Sequence, residues 1–120
     1  MDTGRIKEIA KRAAIEHFTN PDIFKDLCTP DFSVHFSWGE DIKGVDQVIA
    51  FLRSFDLNPR VKVVIDDCFA ENNKVVLRFR AIFPLEDGRE VIRNEISILR
   101  FQGEKIAEWW VAFDRQSEKW

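Results

Sequence analysis

The chain has 120 residues, of which 32% are charged and 45% hydrophobic, and its net charge is −3. That length suits one domain with a real core, spanning 1–120. The mild negative charge gives no electrostatic case for nucleic acid or an anionic membrane, and no apolar run reaches the ~18 residues of a membrane span. Eleven Phe and four Trp accompany no Tyr, so no phenol is available as an acid or an oxyanion donor.

The first segment, MDTGRIKEIAKR, lacks the apolar stretch of a secretory signal, and the expected location is the cytoplasm. From Gly4 to Phe18, residues Ile6, Ile9, Ala10, Ala13 and His17 recur along one stripe, which predicts an amphipathic helix. Asn20-Pro21-Asp22 is a helix start: a capping side chain, a proline at the first helical position and an acid in the first turn. This second helix is expected to end near Cys28. Phe32 to Trp38 alternates, with Phe32, Val34, Phe36 and Trp38 on one side and Ser33, His35 and Ser37 on the other, as a half-buried strand does. Gly39-Glu40-Asp41 breaks it. A third helix is predicted from Gly44 to Phe55, with Val45, Val48, Ile49, Leu52 and Phe55 on its apolar face. Pro59 begins an extended segment, and Arg60 to Glu71 reads as the next strand, turned by Asn72-Asn73. Cys28 and Cys68 form no CxxC pair and no metal spacing, so they read as reduced packing residues.

Three strands follow: KVVLRFRAIF, REVIRNEISILRF and KIAEWWVAFD, joined at Asp87-Gly88 and Gln102-Gly103. Two-residue turns would set Leu77 beside Ile98, Phe79 beside Ile96 and Ala81 beside Asn94. Across the second turn they would set Ile98 beside Trp109, Ile96 beside Val111 and Asn94 beside Phe113. In this register one face is apolar except for Asn94: Leu77, Phe79, Ala81, Phe83, Ile92, Asn94, Ile96, Ile98, Trp109, Val111 and Phe113. The other face mixes Arg78, Arg80, Arg93, Glu95, Ser97 and Glu108 with Val76, Ile82, Leu99, Phe101 and Trp110. A one-residue slip would swap the faces, at roughly 1.5–3 kcal/mol for each large apolar side chain sent to water. The element order gives an α+β class, with helices segregated to one side of an antiparallel sheet.

The order of elements and two stretches, PDFSVHFSWGEDIKGVDQVIAFLRSF and LRFQGEKIAEWWVAFD, resemble the nuclear transport factor 2-like superfamily, in its SnoaL-like (polyketide cyclase and ketosteroid isomerase-related) branch. The resemblance covers nearly the whole chain. It implies a cone-shaped, strongly curved antiparallel sheet wrapped around three N-terminal helices, a pocket between sheet and helices, and frequently a homodimer. Some members are isomerases, cyclases, epoxide hydrolases and dehydratases; others bind without chemistry, so fold does not settle function. The acid and base positions of the catalytic members are expected at Val34, Phe36, Leu77, Ile96 (Ser97 if the strand bulges) and Val111. Apart from that bulge case they are apolar, and a side chain without a titratable group moves no proton.

The first expectation is therefore a pocket protein for a small hydrophobic molecule, lined by Val34, Phe36, Trp38, Leu77, Phe79, Asn94, Ile96, Trp109, Val111 and Phe113. Asn94 either orients a ligand or bonds backbone or water. The second is an acid–base enzyme on a hydrophobic substrate, with His35, His17 or Asp114 as candidates. His35 is expected on the outer face, His17 at a pocket mouth or core edge, and Asp114 in a salt bridge. The third is a dimeric interaction domain. A homodimer would form through the outer sheet face by Arg78, Arg80, Glu95, Leu99 and Trp110, with Arg80 and Glu95 opposed across the hairpin. No cofactor, metal, nucleic acid or membrane partner is expected.

Overall fold

The structure is a computed structural model, and it describes residues 2–55 and 60–114. Pro59 and the residues that follow Asp114 lie outside the described residues. Three helices precede most of the sheet: α1 (Thr3–Glu16), α2 (Ile23–Leu27) and α3 (Val45–Arg53). The strands are β1 (Cys28–Phe36), β2 (Asp41–Lys43), β3 (Lys62–Glu71), β4 (Lys74–Pro84), β5 (Glu90–Gln102) and β6 (Lys105–Phe113). They form one curved, unclosed sheet in the order β2-β1-β6-β5-β4-β3. The α+β expectation holds, and the sheet is mixed because β1 runs parallel to β6. β2, a short strand beyond Gly39, was not foreseen; it folds back on β1.

Each helix forms where its sequence supports it. The Asp2 side chain caps α1 by accepting from Arg5 N–H, and the stripe Ile6, Ile9, Ala10, Ala13, Ala14 is buried. Asn20 starts a tight turn rather than a full α-helix. Ile23, Phe24 and Lys25 donate to the carbonyls of Asn20, Pro21 and Asp22, each three residues back, so α2 proper begins at Ile23. Gly44 takes φ 93°, which a β-carbon would strain, and lets the chain pass from β2 into α3.

The register departs from expectation on one strand. Leu77 lies opposite Ser97, Phe79 opposite Glu95 and Ala81 opposite Arg93. Across the next turn Leu99 lies opposite Trp109, Ser97 opposite Val111 and Glu95 opposite Phe113. Both differences have a local cause. Leu85 N–H donates to the Arg89 carbonyl at 2.8 Å and Gly88 N–H to the Leu85 carbonyl at 3.2 Å, so the first loop is Glu86-Asp87-Gly88, with Gly88 at φ 88°. A three-residue loop has the opposite parity to a two-residue one. The second turn pairs Gln102 with Lys105 as a two-residue turn should, but Ala107 is then an extra residue on β6, and the register shifts between Phe101 and Arg100. The two shifts cancel between β4 and β6, whose inward faces are as expected, and leave β5 alone inverted.

The inward residues of β5 are therefore Val91, Arg93, Glu95, Ser97, Leu99 and Phe101. Asn94, Ile96 and Ile98 belong to the outer face, where Ile96 and Ile98 are 40% and 38% exposed. Asn94 is nonetheless buried. The core packs Leu77, Phe79, Leu99, Phe101, Phe32, Ile106 and Trp109 under the helices.

The phase of β5 is directly measurable. Leu99→Ala should destabilise the fold by about 2–5 kcal/mol in urea unfolding, and Ile98→Ala by about 1 kcal/mol or less. The reverse ranking would restore the expected register.

Candidate functional site

The hollow between the sheet and the helices is a cavity of about 830 Å³, open at one end. That size lies within the range of small-molecule sites. Its walls are apolar and aromatic. α3 supplies Val48, Phe51 and Leu52, with Phe55 just beyond its end, β1 supplies Val34 and Phe36, and β6 supplies Trp109, Val111 and Phe113. Phe24, Ile42, Val61, Phe83 and Val91 complete them. Trp38 stacks on Phe36 with ring centres 4.6 Å apart and meets Phe113 edge-on at 5.4 Å. Trp38 and Phe55 are 56% and 57% exposed at the open end, and Glu40 accepts from the Trp38 indole N–H there.

The polar groups of the lining are His17, Arg93, Glu95 and Glu40. Glu95 projects inward because β5 is inverted, and it is only 3% exposed. Arg93, two residues earlier on the same face, donates from Nε to Glu95 Oε2 at 3.0 Å. Burial pushes the Glu95 carboxyl above its ordinary range, partly opposed by the charge and hydrogen bond of Arg93. The Arg93 guanidinium lies over three rings, 4.3 Å from Phe113, 5.2 Å from Phe18 and 5.5 Å from Phe83.

His17 caps the end of α1 with its ring among Phe18, Phe24 and Trp109. Its Nδ1 lies 3.0 Å from the carbonyls of both Ala13 and Ala14. Two acceptors require Nδ1 to carry the hydrogen, so the neutral ring keeps its lone pair on Nε2. Burial, helped by the Arg93 charge and opposed by the two carbonyls, lowers its pKa to about 4.

Of the residues expected around a ligand, Val34, Phe36, Trp38, Trp109, Val111 and Phe113 line the cavity. Leu77 and Phe79 lie in the solid core instead, fully buried among neighbours. Asn94 and Ile96 lie on the outer phase of β5 for the parity reason given above. Asp114 accepts from Asn94 N–H at 3.2 Å. Arg93 and Glu95, expected outside, lie inside; the apolar pair Ile96 and Ile98 favoured the opposite phase of β5, and the structure leaves that pair partly exposed.

The outer face carries a separate charged network. His35 sits there as expected, with Nδ1 2.8 Å from Asp41 and Nε2 2.8 Å from Glu108, stacked on Trp110. Its pKa is raised, first by the Asp41 hydrogen bond. Glu108 also accepts from Arg100. Arg80 does not face Glu95: it makes two hydrogen bonds of 2.9 Å to Asp66, and Arg78 bonds Asp67. Asp66 is the extra residue of a bulge in β3, which lets two consecutive acids reach two arginines of one face. Glu95 and Leu99 are therefore withdrawn from the proposed outer surface, while Arg78, Arg80 and Trp110 remain on it. Among the described residues there is no cluster of three or more His, Cys, Asp and Glu that could hold a metal, and no helix long and apolar enough to cross a membrane.

The model of the SnoaL-like domain family matches residues 12–109, and the chain belongs to that family. No curated protein sequence matches it. Among solved structures it is similar to a candidate SnoaL-like polyketide cyclase from Jannaschia sp. CCS1, with a TM-score of 0.79 at 22% identity over 93% of this chain and 87% of the other. A candidate ketosteroid isomerase from Kribbella flavida gives 0.76 at 12% identity over 98% and 84%. A candidate hydroxylase from Streptomyces galilaeus gives 0.76 at 14% identity over 94% and 81%. At such identities the likeness is one of fold.

A base whose folded pKa lies below its unfolded value destabilises the fold when protons are plentiful, because the unfolded chain binds the proton and the native one refuses it. For His17 the window runs from its ordinary value of 6.5 down to about 4. His17→Gln should therefore flatten the acid loss of stability across that window, by on the order of 3 kcal/mol at its lower end, in urea unfolding at stepped pH. An NMR titration placing the His17 imidazole near 6.5 would contradict the assignment.

Proposed function

We propose that this SnoaL-like chain binds an apolar small molecule in the cavity between sheet and helices. The observation that carries the reading is an aromatic-walled hollow of about 830 Å³ whose few polar lining groups are His17, Arg93, Glu95 and Glu40. Burial of an apolar ligand there supplies the affinity, and the polar groups orient it. Trp38 and Trp109 line the cavity, so titration with steroid, polyketide-like or fatty ligands should change tryptophan emission saturably. Trp38→Phe should remove part of that change. A panel that leaves the emission unaltered would overturn the reading.

One observation favours a catalytic version of the same site. Environments that push two ionisable groups in opposite directions create an acid and a base at one pH. Burial holds His17 as a neutral base with its lone pair on Nε2, and moves Glu95 toward its acid form. This pair is suited to taking a proton from carbon beside a carbonyl while supplying a hydrogen bond to the carbonyl oxygen. A histidine held near 4 is wholly neutral at pH 7 but weakly basic, so the rate should be modest. The readout is solvent-deuterium incorporation alpha to the carbonyl of apolar ketones, followed by proton NMR. The protein should accelerate it, and His17→Gln should reduce the acceleration by about 10²-fold or more. Equal rates for both proteins would remove the catalytic version and leave the binding one.

A second copy of the chain is the proposed partner of the outer sheet face. Ile96, Ile98 and Trp110 form an apolar strip there, with the Arg78–Asp67 and Arg80–Asp66 pairs on one flank and Arg100–Glu108 on the other. Both signs stand on both flanks, so the face presents complementary charge to a rotated copy of itself. Light scattering should give twice the chain mass, and Ile98→Lys should give the single mass. A monomeric wild-type chain would end this proposal.

A further inference from the structure

Arg93 is the one permanently cationic side chain lining the cavity among the described residues. Its partner, Glu95, takes only one of its donors, the Nε–H. Among the described residues the Nη1 and Nη2 groups meet no hydrogen-bond acceptor. The two side chains are unequal in burial: Glu95 is 4% exposed and Arg93 26%. The acid thus lies beneath and the guanidinium above it, toward the hollow. Phe113, Phe18 and Phe83 pack around the guanidinium and cover part of it. What remains to it is its planar Nη1/Nη2 edge. That edge matches a carboxylate, which accepts two parallel N–H bonds in one plane.

Resting on the binding reading above, we infer that the cavity takes an apolar molecule ending in a carboxylate, with the carboxylate on Arg93 and the apolar body along Trp109, Phe36 and Phe51. Glu95 is a positioning residue. Its bond to Nε fixes the rotation of the guanidinium, so the fork is held before the ligand arrives. The charges also balance. A carboxylate entering beside an ionised Glu95 would leave two negative charges on one guanidinium in a dry site, which is costly. Burial already raises the Glu95 carboxyl above its ordinary range, so taking up a proton beside a bound carboxylate costs less there than at an exposed acid. The same reasoning disfavours a phosphate dianion, for which one guanidinium supplies too little positive charge. The other titratable groups facing the hollow are His17, neutral at pH 7, and Glu40 at the open end, which disfavours a ligand seated with its carboxylate outward.

The test compares decanoate, decan-1-ol, methyl decanoate and decyl phosphate with the full chain, by calorimetry and tryptophan emission at pH 7. Decanoate should bind at least about tenfold tighter than the alcohol and the ester, equivalent to 1.4 kcal/mol, and tighter than the phosphate. Arg93→Met should bring decanoate to the affinity of the alcohol, and Glu95→Gln should leave the preference for decanoate in place. An alcohol or ester that binds as tightly as decanoate overturns the inference while the apolar pocket stands; this comparison uses the wild-type chain alone, whatever becomes of the variants. Retained preference in a folded Arg93→Met protein overturns it as well. If no member of the series binds, the pocket reading itself is lost, and this inference with it.

Discussion

The interior of this protein is organised by the phase of β5. Side chains alternate along a strand, so whichever face of β5 is inward decides whether the hollow is lined by isoleucines or by Arg93 and Glu95. Two small backbone features set it: the Glu86-Asp87-Gly88 loop on one side and the extra residue Ala107 on the other. Each shifts the pairing by one residue. Neither alone would be tolerable, because the faces of β4 and β6 would then disagree about which side is the core. Together they keep Leu77, Phe79, Trp109 and Val111 inward and rotate only the strand between them.

The inversion has an energetic cost in two places. Ile96 and Ile98 remain partly in water, and an arginine–glutamate pair is taken out of it. A buried ion pair rarely adds net stability over apolar residues of similar volume. Such groups are retained at sites of function more readily than at sites of packing, and here they stand at the wall of the hollow of about 830 Å³. The third polar member, His17, belongs to a different element. The end of α1 delivers it, and the carbonyls of Ala13 and Ala14 select its tautomer. One helix terminus and one strand thus supply polar groups to the same cavity.

The two faces of the sheet divide their electrostatics differently. Outside, arginines and acids pair at the surface, with His35 between Asp41 and Glu108, where solvent screens each pair and makes it worth little singly. Inside, one pair is largely withdrawn from water, and burial raises the Glu95 carboxyl above its ordinary range. The same residue types therefore serve solubility or association on one side and ligand orientation on the other.

Much of the chain was readable from the sequence by itself. The α1 stripe, a short second helix ending at Cys28, the alternation of Phe32, Val34 and Phe36, and the three closing strands each follow from a local pattern, and local patterns carry their own physical cause. The α+β class and the likeness to SnoaL-like proteins came from the order of those patterns. The aromatic half of the cavity wall, from Val34 to Trp38 and from Trp109 to Phe113, was legible for the same reason. The polar half was not. β5 is apolar enough on both faces, with Ile92, Ile96 and Ile98 on one and Val91, Leu99 and Phe101 on the other, for hydrophobic alternation to fit either phase. The choice lay in one loop residue and one bulge residue, whose effect is felt only when β4, β5 and β6 must share a single core beneath the helices. Tertiary packing fixed that parity, and with it placed Arg93 and Glu95 inside.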